Sequence, residues 1–267
     1  MRFTYDHDLH IHSWISDCSR DPEQTPERIL AYAKENGLKT VCLTDHYWDS
    51  AVPGATDWDA FQNYEWIERA KPLPQADGVE FLFGCETELS ENMTLGISKE
   101  AFELFGFVII PTTHLHMRGF TISEEDASTL EGRVKVWLSR LDGLLDMDLP
   151  FHKIGIAHLT CGLLVPGERS EYLKMLNMLP EAELHRLFTK AAAVGVGIEL
   201  NSYDMNFADN EADTVLRMYR IAKQCGCKFY CGSDAHQPEA LDKAKAIFER
   251  AIDLLGLQES DKFHIGR

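Results

Sequence analysis

Asp8-Leu9-His10-Ile11-His12 is the stretch whose reading decides the fold. In a β-strand successive side chains point to opposite faces, so His10 and His12 share one face and Leu9 and Ile11 the other. Two imidazoles side by side on a strand are costly to bury unless something satisfies them, and a metal ion is the commonest partner that does. The plain alternative is a pair of solvated or hydrogen-bonded histidines. The rest of the chain bears on the choice, because the same event recurs along it. Apolar runs at residues 40–44, 80–85, 107–113, 154–157 and 227–233 end, in turn, in Asp45-His46, Glu86, His114, His158 and Asp234-Ala235-His236. If these runs are parallel strands of one sheet or barrel, their C-terminal ends meet on one face, where α/β enzymes carry their chemistry.

Helix signals separate the runs. Thr25-Pro26-Glu27 reads as an N-cap, a proline at the first helical position and an early acid, and Asn36-Gly37 as a left-handed stop. Further helices are expected over residues 57–67, 99–104, 130–147, 181–194, 211–224 and 238–255, with a Gly/Pro loop over 160–169. A sixth strand, 196–200, carries Glu199 and ends at Asn201. The result is seven β-α repeats with no linker or low-complexity tract, which predicts one barrel-like α/β domain over residues 1–267. The long connection 47–66, rich in aromatics such as Trp48 and Trp66, reads equally as a substrate wall or lid and as a loop packed by its own rings.

The chain has 267 residues, 45% of them hydrophobic and 10% aromatic, as expected of an ordinary globular core. A formal charge of −17 argues against a long nucleic acid as partner, since phosphate backbones need clustered Lys and Arg. The seven cysteines are odd in number, and several lie inside apolar runs, which fits a reduced cytoplasmic protein. The N-terminus lacks an apolar signal core and no run approaches a membrane span, so a soluble, unexported chain is expected. Cys225, Cys227 and Cys231 lack the paired spacing of a zinc knuckle.

The ordered set His-x-His, Thr-Asp-His, Gly-x-Glu, two lone histidines and Ser-Asp-Ala-His resembles the polymerase and histidinol phosphatase (PHP) family, over essentially the whole span from Asp8 to His236. The resemblance implies a distorted (β/α)7 TIM-like barrel, two or three divalent ions (Zn, Fe or Mn), and hydrolysis of a small phosphorylated substrate by a metal-bridging hydroxide held at Glu86. Carried over by position, His10, His12, Glu86 and Asp234 would hold one ion. Glu86, His114 and His158 would hold a second. His46, His236 and a residue from the loop after the first strand would hold a third. Some members have a histidine where Cys18 stands here, so Asp17 is the better match by family pattern and Cys18 stays open as a thiolate donor.

Phosphate esters also call for positive charge from the protein. Arg118, close after His114, is the first candidate, followed by Arg20 and Arg169. Asp45 reads either as a carboxylate orienting a ligand histidine or as a strand-end cap, and His116 as a leaving-group donor or a loop residue. Glu88 and Glu199 read as structural. Two other classes compete. An amidohydrolase-like C–N or C–O hydrolase would usually place a lysine at a strand end, and none stands there. A non-catalytic scaffold would have lost metal-binding residue types, whereas this chain keeps them.

Overall fold

The computed structural model describes residues 1–266. Local rules are visible in its first helix, Pro26–Asn36. The Thr25 hydroxyl accepts the Arg28 N–H, Pro26 opens the helix without wasting a donor, and Gly37 closes it at φ 68°, a left-handed turn that glycine adopts without strain. Its buried face, Ile29, Leu30, Tyr32 and Ala33, packs into the main core.

Nine strands follow the apolar runs: β1 (His7–Ile11), β2 (Thr40–Leu43), β3 (His46–Tyr47), β4 (Glu80–Phe83), β5 (Cys85–Thr87), β6 (Val108–Pro111), β7 (Ile154–Ala157), β8 (Gly197–Asn201) and β9 (Lys228–Gly232). All pair in parallel, in the orders β1-β2-β4 and β3-β5-β6-β7-β8-β9. The fold is therefore mixed α/β with parallel sheets. The two sheets are joined by chain continuity. β2 leads into β3 through Thr44-Asp45, and β4 into β5 through Gly84, whose place admits no side chain because a Cβ would lie 2.5 Å from the Phe107 carbonyl oxygen. At the opposite edge, Asp234 donates its N–H to the His10 carbonyl at 2.6 Å, and His12 donates to that of Ala235 at 3.1 Å. These bonds, with the parallel bridge of Ile11 to Ala235, bring the end of β9 beside the end of β1.

Hydrophobic packing is layered. A large cluster joins outward-facing strand residues such as Val108, Ile110 and Phe229 to the helices. A second, small cluster of Leu9, Cys42, Phe107, Ile109, Ala157 and Tyr230 fills the space between strands, and Phe263 from the C-terminal segment packs into it.

Several expectations change at the level of detail. Leu9 and Ile11 were expected on one face, yet they fall in different clusters, because the β1 register against β2 shifts between Asp8 and Ile11. Such a bulge re-aims side chains. The helix expected over 57–67 is two short turns, Asp57–Ala60 and Tyr64–Ile67, each with its own side-chain cap, Thr56 and Asn63. Residues 99–104 form only a 3-10 turn, Ala101–Leu104. The helix expected over 211–224 breaks at Leu216, leaving Arg217–Gln224 as its longest piece. A helix unforeseen from sequence, Arg169–Met178, follows the 160–169 loop.

Candidate metal centre

The strand ends converge as their chemistry demands. Three sets of donor atoms, each within 4.8 Å of one another, lie together: His10, His12, Glu86 and Asp234; Glu86, His114 and His158; and His12, Cys18, His46 and His236. Two of these residues hold left-handed backbone, His158 at φ 28° and Asp234 at φ 54°. Non-glycine residues pay of order 1–3 kcal/mol for such conformations, which persist mainly where a site over-determines them.

What surrounds each imidazole settles which nitrogen is free. The Nδ1 of His10 bonds the Glu199 carboxylate at 2.7 Å, and that of His114 bonds Glu88 at 2.6 Å. The Nδ1 of His158 reaches the Thr113 hydroxyl at 2.8 Å, and that of His236 the Asp234 carbonyl at 2.6 Å. For His12 the partner is the Ser16 hydroxyl at 3.1 Å; this hydroxyl donates to Asp45 and so is left to accept. In their neutral form all five rings therefore carry the proton on Nδ1 and turn Nε2 inward, the tautomer that metal-binding histidines use. The Nε2 atoms of His10 and His12 face each other at 3.2 Å, with the Glu86 and Asp234 oxygens 3.2–3.4 Å away. Neutral rings and carboxylates packed this closely repel unless positive charge, from a metal ion or from added protons, lies among them. The residues fit a divalent ion.

The electrostatics agree. Burial disfavours a charge on His12, but the Asp234 and Glu86 carboxylates outweigh it and push its pKa up to about 9. Burial likewise opposes ionisation of Glu86, yet His46 and His10 hold it well below the usual carboxylate range. His236 goes the other way, lowered to about 4 by burial and by His12. Without an ion, the cluster draws in protons as its counter-charge.

The sequence-derived candidates fare unequally. His10, His12, His46, Glu86, His114, His158, Asp234 and His236 all lie in the convergent sets. Asp17 does not. Its carboxylate accepts the Trp58 indole N–H at 2.9 Å, and Cys18 stands in the third set instead. Arg118 is half exposed, paired with Glu124, and does not line the cavity over the cluster. Arg20 is exposed and also outside the lining. Arg169 does line it, but its guanidinium is committed to both Glu211 oxygens. His116 is an exposed rim residue, edge-on to His114.

Asp45 acts on both sides of the choice left open for it: it takes the Ser13 and Ser16 hydroxyls, and Ser16 in turn takes His12 Nδ1 and the His46 N–H. Glu88 and Glu199, read as structural, instead orient His114 and His10. Their position, two residues from Glu86 and Asn201 on strand ends, was the signal available. Missed outright was Arg140, a buried helix residue that bonds Glu88 at 3.3 Å and the carbonyls of Thr112, Ser90 and Thr121.

The cavity above the cluster is about 440 Å³, with Trp58, Met117, Leu163, Tyr172 and Tyr203 in its wall. Residues 8–256, nearly the whole chain, match the PHP domain family.

The chain belongs to the PHP domain family.

Among curated relatives of this PHP protein is a probable phosphatase of Caldicellulosiruptor saccharolyticus, 24% identical over 213 residues, covering 79% of this chain and 73% of that one. Among solved structures, a histidinol phosphate phosphatase of Lactococcus lactis, complexed with zinc, L-histidinol and phosphate, superposes with a TM-score of 0.59 at 16% identity, covering 92% of this chain and 93% of the other. That likeness bears on the fold. Among the described residues no helix is long and apolar enough to cross a membrane.

Proposed function

We propose that this PHP protein is a metal-dependent phosphoesterase acting on a small phosphorylated metabolite, a phosphomonoester or a nucleotide, from a single domain folded as a distorted (β/α)7 barrel. The observation that carries the reading is the set of buried Nε2 lone pairs, each fixed by an acceptor behind its ring, converging with Glu86 and Asp234. The bonds from the β9 end to the β1 end support the barrel. The phosphatase relative, and the phosphate and histidinol in the Lactococcus enzyme, support the reaction class.

In this reading His10, His12, Glu86 and Asp234 would hold one ion, Glu86, His114 and His158 a second, and His46 with His236 a third. Divalent ions there would acidify a water near neutral pH and offset phosphoryl charge. The chain does the rest. Glu86 spans two sets, one oxygen toward His158 and the other toward His10, His12 and His46, so it fixes their spacing. Glu199, Glu88, Thr113 and Ser16 keep each imidazole in the tautomer that leaves Nε2 free. The aromatic wall receives the organic part of the substrate and excludes water from it. Arg169 is the remaining arginine candidate for a phosphate oxygen, and Glu211 already offsets its charge, so little protein cation is left to recognise a polyphosphate. A cavity near 440 Å³ sits at the small end of the roughly 300–1,000 Å³ of ligand pockets, which favours a small ester. Among the described residues no lysine lines the cavity, so nothing favours the amidohydrolase reading. The unpaired state of all seven cysteines supports a reducing, cytoplasmic setting.

Hydrolysis of p-nitrophenyl phosphate and its bis-ester tests this, using metal-stripped protein with Zn, Fe(II) or Mn added back and His158→Ala as control. Metal-dependent release of nitrophenol, lost in the variant and faster on the monoester, is the expected result. Bound metal without turnover of either ester would refute it.

A further inference from the structure

The loop after β1 offers two donors to the third set, and the structure chooses between them. Asp17 is occupied: its carboxylate takes the Trp58 indole, and its backbone N–H donates to the Gln62 side chain at 3.2 Å. The residues on either side of the pair are anchored toward the cluster. Ser16 donates to Asp45 at 2.9 Å, and the Ser19 hydroxyl donates to the His236 carbonyl at 2.7 Å. Cys18, between them, has its Sγ within 4.8 Å of a nitrogen of His12, His46 and His236, and is in no disulfide.

His12 cannot serve this set as well as the first, because its Nδ1 is given to Ser16 and its Nε2 faces Glu86 and Asp234. What remains is one sulfur and two imidazoles. A Cys/His₂ set with an open position suits zinc, whereas the carboxylate-bearing sets suit manganese or iron equally well.

We propose that Cys18, as a thiolate, is a ligand of the third ion and makes that one position zinc-selective beside two harder ones. This rests on the metal-dependent reading above. On uptake the Cys18 Sγ gives up its proton to the buffer and donates the freed electron pair to the ion, with no change of oxidation state.

Cobalt(II) titration of the metal-stripped full chain tests the assignment by absorption, without reference to activity. The expected result is a near-ultraviolet thiolate-to-cobalt charge-transfer band in the wild type and in Asp17→Asn, absent in Cys18→Ser. Cys18→Ser should bind zinc at one position about 10- to 100-fold more weakly, with manganese binding little changed. In the unmutated protein, zinc should protect position 18 from iodoacetamide as mapped by mass spectrometry. This readout is clean because Cys18 is the one exposed cysteine. Cobalt bound with visible d–d bands but no charge-transfer band, a band that survives Cys18→Ser, or alkylation of position 18 undiminished by zinc would each overturn the Cys18 assignment alone. No cobalt or zinc bound at all would overturn the metal reading and this assignment with it.

Discussion

Glu199 lies beneath two candidate ligands at once. One oxygen holds His10 Nδ1 at 2.7 Å, and the other accepts the backbone N–H of His158 at 2.7 Å and the Asn201 amide at 3.1 Å. Glu199→Gln keeps the shape but puts an NH₂ group where an acceptor is needed. Metal affinity is expected to fall about 10- to 100-fold, measured by competition with a chromophoric chelator, with the far-UV spectrum unchanged. His12 makes a pH prediction. In the metal-free protein its folded pKa is raised to about 9, above the roughly 6.5 of an unfolded histidine. The stability it contributes is therefore fully present below about 6.5 and is lost as pH rises through 9. With chelator present, the melting temperature should fall between pH 6.5 and 9.5, and should be flatter over that window in His12→Gln. A wild-type melting temperature that rises over the window would contradict the assignment. The strand-end donor residues were legible because each closes an apolar run, a local pattern. That Cys18 and not Asp17 falls in the third donor set was not, because the Asp17 carboxylate is turned to Trp58, some forty positions away. Glu88 and Glu199 carried a visible position but an invisible partner.

Among the elements, the helix Leu130–Leu145 does more than cover the sheet. Its Arg140 is buried and pairs with Glu88, which in turn holds His114. Removing one partner of a buried pair costs about 3–5 kcal/mol, because the other charge is left uncompensated. Arg140→Met is expected to lose stability on that scale in urea denaturation and to weaken the ion between His114 and His158. A loss under ~1 kcal/mol would mean that Glu88 does not depend on Arg140. Strands and long helices were readable from β-branched runs and from caps such as Thr25 and Gly37. The bulge between Asp8 and Ile11 and the breaks at Thr44-Asp45 and Gly84 were not, because they answer to neighbouring strands. The helix Arg169–Met178 starts without a side-chain cap, so it lacked the start signal that marked Pro26–Asn36, although Tyr172, Met175 and Leu176 give it a buried face.

For the whole molecule, the parallel sheets place every chemistry-bearing strand end at one rim, and a formal charge of −17 is partly spent on carboxylates that face imidazoles there. A cluster so short of cations is built to be completed by metal. Its chemistry should therefore be switched by metal alone. The most direct measurement is turnover of p-nitrophenyl phosphate against metal bound per chain, in the wild type and in Glu86→Gln. The expected result is no turnover without metal, onset as the ions sharing Glu86 fill, and loss of both shared binding and turnover in the variant. Turnover by metal-free protein, or undiminished turnover in Glu86→Gln, would contradict a metal centre organised by Glu86.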